Sequence, residues 1–284
     1  MWIALGFLSA ILLGIYDICK KRSVEDNAVL PVLMLSMSCS TLLLTPLAIT
    51  KVPSLDWHTH LLIFFKACLV LGSGMCGYYG IKHVPLTIAA PIGATRPMWV
   101  IMGAVLIFGE RLEWYQWIAV SMVLIAFMAF SLIGRKEGFS FRNPYIWLVV
   151  AGMLFGAASG VYDKHLLRNI DRFAVQFYYA LEQALMMLVI VAIVWWPKRN
   201  EGTKFQWRWS IVGISLFWVT SDLAYFHALS MPDSMLSILS VIRRTGTIIP
   251  FTYGAVVMKD ANTKSKAAAL AVVLIGVIIL ALTQ

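Results

Sequence analysis

A chain of 284 residues that is 60% hydrophobic and 13% charged, with a mean hydropathy of +0.81, is not a soluble domain, for which about 45–50% apolar and about 25% charged is usual. Its formal charge of +9 does not indicate nucleic acid, because the lysines and arginines fall between apolar stretches, as in cytoplasmic loops that face lipid headgroups. The composition is that of an integral membrane protein.

A helix that crosses a bilayer needs roughly 20 mostly apolar residues. Ten stretches qualify: 2–20, 29–50, 61–82, 85–108, 114–133, 145–164, 173–196, 209–229, 234–258 and 265–283. The first opens MWIALGFLSA, without a basic n-region or a cleavage site, and reads as a retained helix. Gly6, Ala10 and Gly14 recur every four residues along it and form a groove for close helix packing. Tyr16 and Asp17 follow near its end and are gate candidates, although Asp17 also has Lys20 and Lys21 beside it for pairing at the interface. Lys66 lies near the start of the third span, where it can snorkel.

In the fourth span Pro97 bends the helix beside Arg96, and Trp99 is placed one turn on to stack on Arg96 or on a flat substrate. The sixth repeats the small-residue row with Gly152, Gly156 and Gly160, then the gate pair with Tyr162 and Asp163; Lys164 and Arg168 offer Asp163 interfacial partners. The seventh carries Gln176, Tyr179, Glu182 and Gln183, and the eighth Ser215, Trp218, Asp222 and Tyr225. Trp218 and Tyr225 suit core and cavity equally.

The ninth span contains SVIRRTGT. An arginine at the centre of a membrane helix costs about 2.5–3.5 kcal/mol on insertion scales, so a buried acid or an anionic ligand must offset Arg243 and Arg244. Asp233, Ser237, Ser240, Arg244 and Thr247 alternate steps of four and three and form one polar stripe. Arg243 points about 100° away from Arg244. It is expected to pair with Glu182 or Asp222, leaving Arg244 on a water-lined face.

The chain also matches itself. At an offset of 146, Gly14, Tyr16 and Asp17 meet Gly160, Tyr162 and Asp163; at 147, Tyr78 and Arg96 meet Tyr225 and Arg243. Five spans per half, an odd number, put residues 1–137 and 138–284 in opposite orientations. Inverted repeats of this kind are a transporter signature, with the site near mid-membrane. The expected fold is all-α, ten transmembrane helices in two inverted five-helix repeats. The four cysteines (Cys19, Cys39, Cys68, Cys76) lie in apolar stretches without a CxxC and read as structural thiols.

Residues 84–119, VPLTIAAPIGATRPMWVIMGAVLIFGERLEWYQWIA, resemble the fourth and fifth helices of the drug/metabolite transporter superfamily, most closely its EamA-type members. Pro97, Gly109–Glu110 and Gln116–Trp117 stand where that family keeps Pro, GE and QW. The first helix departs from it, with LLGIYDICKK lacking the usual Trp-Gly pair. The resemblance implies ten helices and a multi-pass protein of a bacterial inner membrane. Arg96 with Arg243 and Arg244 is similar to the sugar-phosphate branch, which keeps a basic residue on helix four and a Lys-Arg pair on helix nine. Alternating the loops between two faces gives fourteen Lys/Arg on one, Lys20, Lys21 and Lys266 among them, against five on the other. The positive-inside rule then puts both termini outside, whereas bacterial members more often keep both inside.

Walker A, HExxH and GxSxG are all absent, so neither an enzyme nor a cofactor is expected. Three arginines (Arg96, Arg243, Arg244) against two acids (Glu182, Asp222) leave one positive charge over. The expected function is secondary active transport of a small anionic or zwitterionic metabolite (an organic phosphate, carboxylate or amino acid) by alternating access. Arg96, Trp99, Tyr225, Ser240, Arg243, Arg244 and Thr247 would hold it, with Glu182 and Asp222 as ion-pair or proton-coupling groups. The partners are this substrate, the lipid bilayer and protons; the oligomeric state is open. Three other readings stand beside it: a cationic-compound exporter, which needs an unpaired membrane acid; an ion-pair network that only pins the halves together; and a lipid-headgroup enzyme, for which no nucleophile or metal site is visible.

Overall fold

The computed structural model describes residues 2–52, 55–96, 98–100, 143–167, 169–200, 202–231 and 236–282, with isolated positions between 114 and 133. Most of the fifth predicted span and the motif residues Pro97, Gly109, Glu110 and Gln116 therefore lie outside the described residues, as does Asp233. Among the described residues the regular structure is helical: α1 (Trp2–Val24), α2 (Val29–Lys51), α3 (Trp57–His83), α4 (Leu86–Ala94), α5 (Pro144–Leu166), α6 (Arg172–Ile190), α7 (Ser210–Leu229), α8 (Leu236–Thr245), α9 (Ile248–Val256) and α10 (Thr263–Leu282). Six helices are long and apolar enough to cross a membrane: α1, α2, α3, α5, α6 with its continuation to Lys198, and α7. The described chain is a multi-pass helical membrane protein.

Polar caps set where several helices begin. The Asp56 carboxylate accepts from the amides of His58 (3.2 Å) and Thr59 (3.4 Å), which starts α3 four residues earlier than hydropathy suggests. The Thr59 hydroxyl also donates to it, and this bond holds the Asp56 carboxyl below the usual range. Asn143 caps α5 through the Tyr145 amide (2.9 Å), with Pro144 at the first helical position, and Asp171 caps α6 through Phe173 (2.8 Å). Such caps satisfy amides that the helix itself leaves open. Beyond the caps the usual soluble arrangement is absent. Ile3, Phe7, Leu42, Ile49, Phe65, Val189 and Ile193 are exposed, as a lipid-facing surface requires. Trp57, Trp114, Trp147, Trp196 and Trp207 are exposed, whereas Trp195 packs on the core.

The most extensive packing is α1 along α7 and α3 along α5, with α2 on α6 and α7, and α4 on α9. Small residues permit it. A Cβ at Gly6 would lie 2.8 Å from Leu239 of α8, and one at Gly14 would lie 2.6 Å from the Gly246 carbonyl oxygen. A Cβ at Gly152 would lie 2.9 Å from the Gly77 amide of α3.

The predicted ninth span is not one helix. α8 ends at Thr245 and α9 begins at Ile248; Pro250 has no amide to donate to the Gly246 carbonyl four residues back, and Gly246 presses onto α1 so closely that a Cβ there would sit 2.0 Å from the Ala10 carbonyl oxygen. Thr247 stands past this break, at the cap of α9.

Replacing Gly246 by valine should lower the melting temperature of the detergent-purified protein by several degrees, since backbone must move and overpacking costs about 1–3 kcal/mol. Gly93→Ala, where nothing lies within 4 Å of the added Cβ, serves as the control and should be neutral. Equal losses in the two would contradict this packing.

Candidate functional site

Two adjoining cavities open inside the bundle, of about 80 Å³ and about 150 Å³. Val70, Ser73, Arg96, Trp218 and Arg244 line both. An apolar cavity of about 150 Å³ holds a benzene ring, so the pair has room for a small metabolite.

Charged side chains from α1, α3, α5, α7 and α8, with Arg96 just past α4, converge on these cavities. Arg243 forms an ion pair with Asp222, donates to the Ser9 hydroxyl at 3.0 Å and lies over the Tyr225 ring at 4.2 Å. The other Asp222 oxygen accepts from the Tyr179 hydroxyl at 2.8 Å. Of the two acids open to Arg243 on sequence, the partner is Asp222. Glu182 turns elsewhere: one oxygen faces His60 Nδ1 at 3.6 Å, the other is buried without a hydrogen bond, and the residue lines neither cavity.

Lys66 does not snorkel. It is 2% exposed and forms an ion pair with Asp163, its ammonium 4.7 Å from the Tyr179 ring. Because α3 starts at Trp57, Lys66 stands about 14 Å along the helix at 1.5 Å per residue, too deep for the interface. Asp163 correspondingly turns inward to α3 and lines the smaller cavity instead of pairing at the membrane surface. Two buried opposite charges offset each other's desolvation, which neither could bear alone.

Asp17 is likewise internal. With Tyr16 it lines the larger cavity, α1 running on two further turns to Val24. Lys20 and Lys21, read as surface charges on sequence, are buried. The Lys20 ammonium lies 4.4 Å over the Tyr78 ring in that cavity. Lys21 donates to the carbonyls of Ile81 (2.8 Å) and Val84 (3.3 Å), closing the end of α3. Lys266, also counted on the basic face, is buried and donates to the Thr87 hydroxyl at 3.1 Å. The charge asymmetry behind the positive-inside argument is correspondingly weaker.

Arg96 and Arg244 line both cavities, and among the described residues neither has an ion-pair partner within 4 Å. Arg96 lies in the notch left by Gly156, where a Cβ would come 1.7 Å from its guanidinium. Of the other sequence candidates, Tyr225 lines the smaller cavity, while Trp99 packs on the core and Thr247 and Tyr162 line neither. The Tyr162 hydroxyl instead donates to the Leu62 carbonyl at 3.3 Å. The Ser240 side chain lies outside the described residues. Lys20, Lys66 and Tyr78 are additions that the sequence reading did not place here.

One end of the bundle is laced by polar bonds. Ser23 and Ser210 meet at 2.6 Å, Asn27 exchanges bonds with the Gln206 backbone at 2.7 and 2.8 Å, Arg22 donates to the Tyr253 hydroxyl at 2.6 Å, and Thr87 donates to Asp260 at 2.8 Å.

Residues 1–132 match the model of the EamA-like transporter family. The first half of the chain is thus similar to that family. The drug/metabolite transporter resemblance read from residues 84–119 is thereby borne out for this EamA-like half. The chain is 25% identical over 134 residues to the pseudopaline exporter of Pseudomonas aeruginosa, covering 47% of this chain and 45% of that one. It is 22% identical over 128 residues to the S-adenosylmethionine uptake transporter of Rickettsia prowazekii, 45% of this chain and 42% of that one. It thus matches a little under half the length of these two relatives. An uncharacterized transporter of Archaeoglobus fulgidus is 22% identical over 99% of this chain and 98% of its own. A solved crystal structure superposes with a TM-score of 0.69 at 14% identity, over 98% of this chain and 95% of the other, a likeness of fold.

Lys66→Met alone should destabilise the protein by about 3–5 kcal/mol, the usual cost of stranding a buried partner charge. Adding Asp163→Asn should restore most of the melting temperature. A double variant no more stable than the single one would mean that Lys66 contributes by packing alone.

Proposed function

We propose that this EamA-like protein is a secondary active transporter of a small anionic or zwitterionic metabolite. The observation that carries the reading is the pair Arg96 and Arg244, at the shared wall of two cavities and, among the described residues, free of ion-pair partners there, while Arg243 and Lys66 are each held by a carboxylate. Guanidinium groups suit carboxylate or phosphate by bidentate bonding. The relatives named for moving pseudopaline and S-adenosylmethionine support a small organic cargo. A cationic cargo would have to rest on Asp17, which shares its cavity with Lys20, Arg96 and Arg244.

The two halves, 1–137 and 138–284, act as inverted five-helix repeats that together make ten spans. The packing supports this: exchanging the halves converts the α1–α7 contact into the α5–α3 contact, and these are the two most extensive. Alternating access follows from rocking of the halves, and the bonds around Ser23, Asn27 and Thr87 are those that part when their end opens. A proton carried on Asp222 would require that Arg243 first let go of it. We place the protein in a bacterial inner membrane.

Melting temperatures should be read against a panel of organic phosphates, carboxylates, amino acids and hydrophobic cations, because a ligand of the folded state raises stability. Anions or zwitterions should stabilise the protein, and Arg244→Gln should abolish the effect. Stabilisation by cations, or by anions equally in both proteins, would overturn the assignment. For the mechanism, Ser23→Cys with Ser210→Cys, in a background without the native cysteines, should block liposome flux of the stabilising solute once crosslinked, and reductant should restore it. Undiminished flux after complete crosslinking would exclude opening at that end.

A further inference from the structure

Among the described residues the charges around the two cavities do not cancel. Lys66 with Asp163 and Arg243 with Asp222 each sum to zero. That leaves Arg96, Arg244 and Lys20 against Asp17 on the walls of the larger cavity, three positive charges less one negative, an excess of +2. Arginine stays protonated inside proteins. Lys20 is built into place: its ammonium lies 4.4 Å from the Tyr78 ring and 5.8 Å from the Tyr16 ring, as a cation–π contact requires. A Cβ on Gly77 would come 2.9 Å from its Nζ, so that glycine leaves room for the ammonium. Among the described residues Asp17 has no ion-pair partner within 4 Å, although Lys20 is one turn away on α1.

Four of the neutral side chains on this cavity are already engaged, and the Tyr16 and Tyr78 hydroxyls and the Trp218 indole line it beside them. Ser36 donates to the Leu33 carbonyl (2.9 Å), Ser40 to Ser36 (2.8 Å), Ser73 to Gly152 (2.6 Å) and Gln183 to Ala67 (3.4 Å). The charge of a ligand is met here by the cations Lys20, Arg96 and Arg244. An uncompensated charge in a membrane interior is costly. A zwitterion would leave the excess of +2 untouched, and a monoanion would leave half of it.

From this count we infer that the cargo is a compact dianion, a dicarboxylate or a phosphate monoester, and that Lys20 is the third cation that selects it over monoanions. The inference rests on the anion reading of the site proposed above and narrows it.

The test compares sulfate with methanesulfonate, two tetrahedral oxyanions of charge −2 and −1, by ligand-induced melting shifts at constant ionic strength. Wild type should bind sulfate at least about tenfold more tightly, the equivalent of about 1.4 kcal/mol. Lys20→Gln should bring the two affinities together while methanesulfonate binding persists, and Lys20→Arg should restore the preference. Arg244→Gln should lose both ions. Succinate and methyl phosphate, measured alongside, distinguish a dianion with its charges at two ends from one with both on a single group. Equal binding of sulfate and methanesulfonate by wild type, unchanged in Lys20→Gln, would overturn the dianion inference and leave the anion site standing. Binding of neither, with amino acids stabilising instead, would overturn the dianion inference alone, whereas stabilisation by cations would overturn the proposed function itself. Should Lys20→Gln fail to fold, the wild-type ratio and the Lys20→Arg ratio still decide the matter.

Discussion

Burying charge where water cannot follow is the constraint that organises this bundle. An isolated ion in hydrocarbon faces a desolvation cost that only a close counter-charge, hydrogen bonds or an aromatic face can offset. Each of these devices is present. Asp222 lies between Arg243 and the Tyr179 hydroxyl, Lys66 between Asp163 and the Tyr179 ring, and Lys20 over Tyr78. Tyr179 serves two of these sites at once, its hydroxyl bonded to Asp222 and its ring face toward Lys66, so a single aromatic on α6 joins the two ion pairs. Arg96 and Arg244 stand out because, among the described residues, neither has an ion-pair partner within 4 Å.

Small residues make that arrangement possible. Gly6, Ala10 and Gly14 bring α8 and α9 against α1, which carries the Arg243 guanidinium to the Ser9 hydroxyl. On the other side Gly152 seats α5 on α3, and the next position of the row, Gly156, accommodates the Arg96 guanidinium instead of a helix backbone. A row of glycines thus does two things along one helix face: it brings backbones together and leaves a notch for a cation.

Hydropathy finds α1, α2, α3, α5, α6 and α7 because the apolar run needed to cross a bilayer is long and hard to mistake. It misses what depends on neighbours. Trp57, His58 and Thr59 read as loop until Asp56 is recognised as their cap, and the misplaced start of α3 makes Lys66 look superficial. The close approach at Gly246 is hidden because what it meets lies on α1, at Ala10. The arginines are legible since any intramembrane charge is conspicuous. Lys20 is not, because the run of Lys20, Lys21 and Arg22 looks like one basic surface patch, although helix geometry sends the three in different directions. Asp163 is misread for the same reason: Lys164 and Arg168 are near in sequence, whereas its partner is 97 positions away.

The Lys66–Asp163 pair has a further consequence for movement. One partner belongs to the EamA-like first half and the other to the second half of the chain, and the same is true of Arg243 with Ser9. On the proposed mechanism these contacts lie where the halves hinge, close to the cavities, while the bonds of Ser23, Asn27 and Thr87 lie at one end. A ligand can shift a conformational equilibrium only by the difference in its affinity for the two states. Like-charged groups such as Arg96, Arg244 and Lys20 repel when the halves bring them together, and an anion between them reverses the sign of that interaction. Closure around an anion is therefore favoured by the same charges that oppose closure without one, and the cargo's charge becomes the source of the coupling between binding and rocking.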